Sequence, residues 1–424
     1  MKSVVYKPFK PNGTVTVPPS KSDVHRAVIC AMLSGGVCKI SPVALSNDIR
    51  ATIDCAAALG AKIEIENNIL TVDGSEVFKN KTAELNCGES GSTLRFFVPV
   101  AAAGGVSARF SGQGSLLSRP VGIFADILPK NGVECQTDGT LPLSVSGQLK
   151  SGRYELPGNI SSQFITGLLF ALPLLEGDSE IALTSPLESR GYIDMTVRTM
   201  SKFGVSIETT DFGWKIKGGQ KYRPTDYKTD GDWSQAAFFM VSAAIGGSAT
   251  VKNVSRDSAQ GDRAVAEILK RFGARVVQSD NEVFVEKSVL TAVTIDASQI
   301  PDLVPALAVC AAFASGTTKI INAARLRIKE SDRLSSTAAM LNALGGSVKE
   351  LPDGLEITGT KKLCGGSVDG RNDHRIIMSA AACAAGADGD IICSDALSVN
   401  KSFPDFFEVY NSFGGRAGLM DNGG

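Results

Sequence analysis

Histidine is nearly absent from this chain, and so is any excess of charge. Two His occur among 424 residues, 43 Lys plus Arg face 44 Asp plus Glu, and the formal net charge is −1. Two imidazoles make an all-histidine metal site implausible. A neutral balance gives no field for non-specific nucleic-acid binding, although charges can still segregate by face. Long apolar runs are missing too. The two longest uncharged stretches, 156–175 and 233–251, are interrupted by Gly and Ser, and the first also by Pro157 and Pro173, so neither reads as a membrane span. The opening residues MKSVVYKPFKPNG lack the apolar centre of a secretory signal. Nine Cys occur without CxxC or Cys/His metal spacing, which reads as reduced thiols in a cytoplasmic protein. What remains, 43% apolar and 21% charged residues, is an ordinary globular composition with room for two or three domains.

The strongest internal signal is a repeat. An apolar helix ending in Gly and followed by a short strand recurs as AAALGAKIEI, ILPKNGVECQ, MSKFGVSIET, ILKRFGARVV, MLNALGGSVK and VYNSFGGRAG. The glycines are Gly60, Gly132, Gly204, Gly273, Gly345 and Gly414, separated by 72, 72, 69, 72 and 69 residues. Glycine suits the position after a helix because the chain often turns left-handed there. Six Ala-rich helices, apolar on nearly every face, interleave with these, and each is followed by a β-like stretch such as CKIS, ARFS, EIAL, ATVK, TKII or DIIC. The expected fold is α/β, two-lobed, with six βαβαββ-type repeats, three per lobe. Polar, Pro/Gly-containing interruptions near Pro18–Pro19 and at 221–233 set the lobes at 20–229 and at 1–19 plus 230–424. Buried helices running parallel in each lobe would face their N-termini onto one interlobe cleft.

The segments that open those buried helices are polar: PPSKSDVHR, CGESGSTLR, GNISSQ, GDWSQ, IPD and RNDHR. Ser234, in GDWSQ, taken alone reads as an ordinary cap. Lys21, Arg26, Arg95 and Arg375 do not fit that explanation, because helix N-termini favour anions rather than cations. Basic residues gathered there imply an anion that joins them. Arg119 in GQGSLLSRPVG, the RLRIKESDRL segment and Lys401 extend the pattern. Within RLRIKESDRL, Lys329 and Arg333 are like charges four apart, which an ordinary helix avoids and a bound phosphate or carboxylate relieves.

Nine segments in order now carry a resemblance: SKSxxxR (20–26), SGST-LR (90–95), SRP-G (118–122), SSQF (161–164), SRGYIDMT (189–196), IPD (300–302), KESDRL (329–334), NDHR (372–375) and KSFPDFF (401–407). The chain resembles the 5-enolpyruvylshikimate-3-phosphate synthase family of enolpyruvyl transferases over practically its whole length. The resemblance implies transfer of the carboxyvinyl group of phosphoenolpyruvate to the 5-hydroxyl of shikimate 3-phosphate, by addition and elimination through a tetrahedral ketal phosphate. It implies no metal or organic cofactor, no nucleic-acid or membrane partner, and a monomer whose lobes close on substrate.

Carried over by motif, Lys21, Ser22, Arg26, Ser161, Ser162, Gln163, Ser189, Tyr192, Asp302 and Lys329 bind shikimate 3-phosphate. Lys21, Gly91, Arg119, Gln163, Arg333, Arg375 and Lys401 bind phosphoenolpyruvate. Asp302 accepts the proton of the 5-hydroxyl, Glu330 protonates the methylene carbon and later removes a proton, and Lys21 assists. The chain departs from the family pattern at Glu89, where Asn is frequent, at Ser92 for Thr, at Arg190 for Lys, and at Arg325, where some relatives carry a substrate-binding Asn. Three alternatives compete. A UDP-N-acetylglucosamine 1-carboxyvinyltransferase usually opens with an AKN-type segment and has a reactive Cys before its Arg-Pro element, whereas GQGSLLSRP has none. An RNA-terminal phosphate cyclase needs a catalytic His motif, and His25 and His374 lie inside the synthase motifs. A non-catalytic scaffold leaves the basic helix starts unexplained.

Overall fold

In the computed structural model, which describes residues 2–421, twelve helices alternate between two kinds. They are α1 (Lys21–Leu33), α2 (Asn47–Ala58), α3 (Gly91–Ala103), α4 (Gly122–Ile127), α5 (Ser162–Ala171), α6 (Arg190–Lys202), α7 (Trp233–Gly246), α8 (Val265–Phe272), α9 (Val304–Ala312), α10 (Arg333–Ala343), α11 (His374–Cys383) and α12 (Phe406–Ser412). The odd-numbered helices are buried along almost their entire length, as their all-round apolar composition requires. The even-numbered ones bury fewer positions and turn a polar face outward. All six glycines of the repeat follow the even-numbered helices with φ between +79° and +108°.

The described residues form six four-stranded sheets of one design. In one of them Thr82–Asn86 runs parallel to Ser107–Ser111, joined by a crossover through α3. The chain continues through α4 into the hairpin Val133–Gln136 and Leu143–Gly147, whose second strand pairs antiparallel with Ser107–Ser111. Strand, buried helix, strand, outer helix and hairpin make a βαβαββ unit, so the expected repeat is the repeat observed.

Contacts divide the chain into two units, Met1–Pro18 with Asp230–Gly424, and Pro19–Thr229. Three repeats depart from simple succession, two by exchanging leading strands and the last by taking in a strand from the start of the chain. Thr14–Thr16 precedes α1 in sequence but pairs in parallel with Ser248–Lys252, the strand after α7. Tyr227–Lys228 precedes α7 but pairs with Val37–Ser41, the strand after α1. The leading strands of the two repeats are exchanged. In the first unit Lys2–Tyr6 also pairs with Ala417–Asp421 and Ile391–Cys393, placing Tyr6 edge-on to Tyr410 in the core.

The second unit shows how closely its buried helices pass. Pro99 inside α3 has no N–H for the carbonyl of Arg95 four residues earlier. Gly167 of α5 comes up against that same carbonyl oxygen, where a side chain has no room. The approach brings the starts of α3 and α5 together, and the polar residues collect at these starts.

Candidate active site

In the unit Pro19–Thr229, α1 opens at Lys21, whose Nζ lies 2.6 Å from an Asp48 carboxylate oxygen at the start of α2. One turn on, buried Arg26 donates to the Ser22 carbonyl (2.6 Å), the Tyr192 carbonyl (2.9 Å) and the Thr196 hydroxyl (2.8 Å), the last two on α6. Its guanidinium also stands 5.4 Å from the centre of the Phe96 ring. Burial lowers that guanidinium to about 10, still cationic at neutral pH. Ser161 caps α5 by accepting the Gln163 N–H at 3.3 Å, and Ser162 is the first residue of that helix. Ser189 immediately precedes α6 in a left-handed conformation, φ 55°.

The start of α3 is the tightest place in this unit. The Gln163 side chain bridges it, accepting from Arg95 Nη1 at 2.8 Å and donating to Ser92 Oγ at 2.9 Å. Arg95 also donates to the Pro120 carbonyl at 3.0 Å and lies over the Phe164 ring. A Cβ at Gly91 would stand 2.8 Å from Arg95 Nη1 and 2.9 Å from Arg119 Nη1. Two guanidinium groups therefore press against the backbone at a helix N-terminus, an arrangement suited to an anion.

In the other unit the centre is Arg333, the first residue of α10. Its side chain is 2% exposed and meets three carboxylates: Asp302 at 2.8 Å, Glu330 at 2.5 Å and Asp373 at 2.8 Å. Arg375, on α11, reaches the other Asp302 oxygen at 3.1 Å and the Asp302 carbonyl at 3.0 Å. Burial alone would raise the Asp302 carboxyl, but Arg375, Lys329 and Arg333 outweigh it and hold it well below the usual carboxylate range. Burial pulls the Lys329 ammonium down to about 8, with Asp302 opposing and Arg325 and Arg333 adding to the fall. Lys401 donates to the Asn372 carbonyl at 2.6 Å.

Three local expectations change. Ser234 is not a cap: Asp232 caps α7 by accepting the Gln235 N–H, and the Ser234 hydroxyl donates to buried Asp262. Lys329 and Arg333 do not share a helix face, because 324–328 is a 3₁₀ turn and α10 begins only at Arg333. Arg333 also needs no added anion to balance its charge, since three carboxylates surround it. The departing residues are placed as well. The Glu89 carboxylate lies against Gly114, and Arg325 donates to the Ser298 carbonyl at 2.6 Å.

The sequence reading passed over two carboxylates that hold the site, Asp373 and Asp48, and the link from Arg95 and Ser92 to Gln163. Asp373 lies inside NDHR, caps α11 through the Arg375 N–H at 3.0 Å, and anchors Arg333. Its place within a quoted motif was the available signal. Arg95 and Ser92 were singled out in the sequence, but their link to Gln163 was not, because it spans about seventy residues of chain. Asp48 offered no signal beyond its place at a helix start. Among the described residues no cluster of three or more His, Cys, Asp or Glu could hold a metal ion, and no helix is long and apolar enough to cross a membrane.

Against this geometry the relatives can be set. The family model EPSP synthase (3-phosphoshikimate 1-carboxyvinyltransferase) matches residues 5–410. A Clostridium kluyveri protein named 3-phosphoshikimate 1-carboxyvinyltransferase is 46% identical over 417 residues, 98% of each chain. One of the same name from Clostridioides difficile is 44% identical over 429 residues, again 98% of each. A solved structure of EPSP synthase from Acinetobacter baumannii superposes with a TM-score of 0.84 at 28% identity, covering 99% of this chain and 100% of that one.

Proposed function

The chain belongs to the EPSP synthase family, and from that premise we propose how its residues divide the work. The reaction is transfer of the carboxyvinyl group of phosphoenolpyruvate to the 5-hydroxyl of shikimate 3-phosphate with release of phosphate, a step in aromatic amino acid biosynthesis. Residues 20–229 supply the shikimate 3-phosphate side through Lys21, Ser22, Arg26, Ser161, Ser162, Gln163, Ser189 and Tyr192. Gly91 and Arg119 of the same lobe hold phosphoenolpyruvate, with Lys21 and Gln163 serving both substrates. Residues 1–19 plus 230–424 supply Asp302, Lys329, Glu330, Arg333, Arg375 and Lys401.

The acid–base pair carries this reading, because Asp302 and Glu330 flank one buried guanidinium at 2.8 and 2.5 Å. In the forward reaction Asp302 accepts the 5-hydroxyl proton, the hydroxyl oxygen bonds to C2 of phosphoenolpyruvate, and Glu330 delivers a proton to C3. The product of this step is the tetrahedral ketal phosphate. Elimination removes a proton from the new methyl group and breaks the C2–O bond to phosphate, which leaves with its bonding pair. Asp302 is a poor base while Arg375, Lys329 and Arg333 all act on it. Substrate phosphate and carboxylate groups drawing on those cations weaken that field and raise the proton affinity of Asp302 when the base is needed.

A monomer in the cytoplasm completes the reading: every assigned residue lies on one chain, and the nine cysteines are free thiols, all but Cys135 and Cys364 buried. The test is phosphate release from phosphoenolpyruvate by purified protein. Release is expected only with shikimate 3-phosphate present, and release with UDP-N-acetylglucosamine instead overturns the reading.

A further inference from the structure

Beneath Lys21 and Gly91 lies a set of buried polar groups that the reaction does not itself use. His25 Nδ1 is 2.6 Å from Thr52 Oγ1, Thr52 Oγ1 is 2.7 Å from Thr93 Oγ1, and Thr93 Oγ1 donates to Ser90 Oγ at 2.7 Å. Ser90 also caps α3 by accepting the Thr93 N–H at 3.2 Å. All four residues are 1% exposed or less. They tie together the starts of the three helices that carry Lys21, its partner Asp48, and Gly91.

The direction of these bonds follows by counting hydrogens. A hydroxyl has one hydrogen to give. Thr93 gives its own to Ser90, so the bond between Thr93 and Thr52 uses the hydrogen of Thr52. The longer contact from Thr52 to the Asp48 carbonyl, 3.3 Å, is then secondary. With its hydrogen committed, Thr52 can only accept from His25, and Nδ1 must carry the ring proton. Nε2, buried and without a hydrogen-bond partner, is the bare nitrogen. Burial, reinforced by Lys21 and Arg26, holds the imidazole well below its ordinary value, so the ring carries a single proton.

We propose that His25, Thr52 and Thr93 are positioning residues: a one-way hydrogen-bond chain, headed by an Nδ1–H imidazole and ending on the Ser90 cap, that fixes the start of α3 relative to Lys21. Oriented hydrogen bonds in a dry interior reinforce one another, so the chain resists displacement more than its separate bonds would. Its effect on the KM for phosphoenolpyruvate rests on the proposed assignment of Lys21 and Gly91 to that substrate.

Two measurements test it. Histidine-selective ¹⁵N NMR is tractable because the chain has only two His, and the resonance that moves in Thr52→Val belongs to His25. A protonated Nδ1 with a bare Nε2 near neutral pH is the expected result. An Nε2–H ring or a doubly protonated ring overturns the chain. Thr93→Val removes the hydroxyl link but keeps the backbone cap on Ser90. It is expected to raise the KM for phosphoenolpyruvate about tenfold with kcat changed little, and to lower thermal stability modestly because the buried Thr52 hydroxyl loses its acceptor. Thr93→Ser is expected to restore the wild-type KM. An unchanged KM in Thr93→Val, or no rescue by serine, refutes positioning. Should Thr93→Val fail to fold, the wild-type tautomer alone decides the chain. A wild-type protein that does not turn over phosphoenolpyruvate with shikimate 3-phosphate sinks the functional assignment and leaves the tautomer result standing.

Discussion

Gly91→Ala isolates what the start of α3 does. Gly91 has no left-handed φ, so alanine fits the backbone there, and alanine is the better helix former by about 1 kcal/mol in a helix interior. The new methyl group is the entire perturbation. It would stand 2.8 Å from Arg95 Nη1, 2.9 Å from Arg119 Nη1 and 3.0 Å from Arg119 Cζ, where ordinary contact begins at 3.4 Å. Both guanidinium groups must retreat by about 0.5 Å, and retreat from an anion bound at the helix start weakens charge-assisted hydrogen bonds. Losing about 1.4 kcal/mol from one weakened charge-assisted hydrogen bond points to about a tenfold rise in the KM for phosphoenolpyruvate. The KM for shikimate 3-phosphate should rise less, since Arg119 is proposed to hold phosphoenolpyruvate alone, whereas Arg95 reaches the other substrate only through Gln163. Steady-state kinetics with each substrate varied, together with a thermal melt, read both quantities. An unchanged KM for phosphoenolpyruvate, or activity lost in step with the melting temperature, refutes the reasoning.

Glu330→Gln should lower kcat by about a hundredfold with modest changes in KM, as for loss of a general acid–base group; near-wild-type turnover in a stopped assay removes Glu330 from the mechanism. Asp373→Ala takes the fully buried carboxylate from Arg333 and the cap from α11, and should cost about 3–5 kcal/mol in denaturant unfolding; a loss below 1 kcal/mol would show that Asp302 and Glu330 suffice. If Lys329, lowered to about 8, binds shikimate 3-phosphate as proposed, affinity should fall as pH rises through about 8, and Lys329→Met should flatten that limb in calorimetry. Stability moves the other way. The unfolded chain holds this proton up to its ordinary value near 10.4, so between about 8 and 10 unfolding takes up a proton and this group's contribution to stability rises with pH.

The repeat was legible because burial writes a periodic signature. A helix surrounded by other elements must be apolar on every face, a helix end needs glycine to turn left-handed, and six copies at 69 to 72 residues leave little freedom in the local order of elements. The basic and polar residues at the helix starts were legible as motif positions, and the local signals were less secure. Ser234 looked like a cap, but Asp232 two residues earlier has the side chain that reaches the Gln235 N–H. Lys329 looked helical because its spacing from Arg333 is four, and spacing cannot reveal that the helix starts only at Arg333.

By itself, then, the sequence determined the βαβαββ unit, its count, and the collection of basic residues at helix starts, because each depends on burial or backbone conformation within a few residues. Tertiary structure decided which strands are exchanged between repeats and which charges neutralise which. Thr14–Thr16 pairs with a strand more than two hundred residues away, and Arg333 meets Asp302 and Asp373 across 31 and 40 residues. Such pairings depend on distance through space and on the cost of burying a charge alone, and neither quantity is encoded in local pattern. For the same reason, counting charges in the chain found only a balance of 43 against 44, whereas the fold sets one buried guanidinium against three carboxylates and presses two others against a helix start.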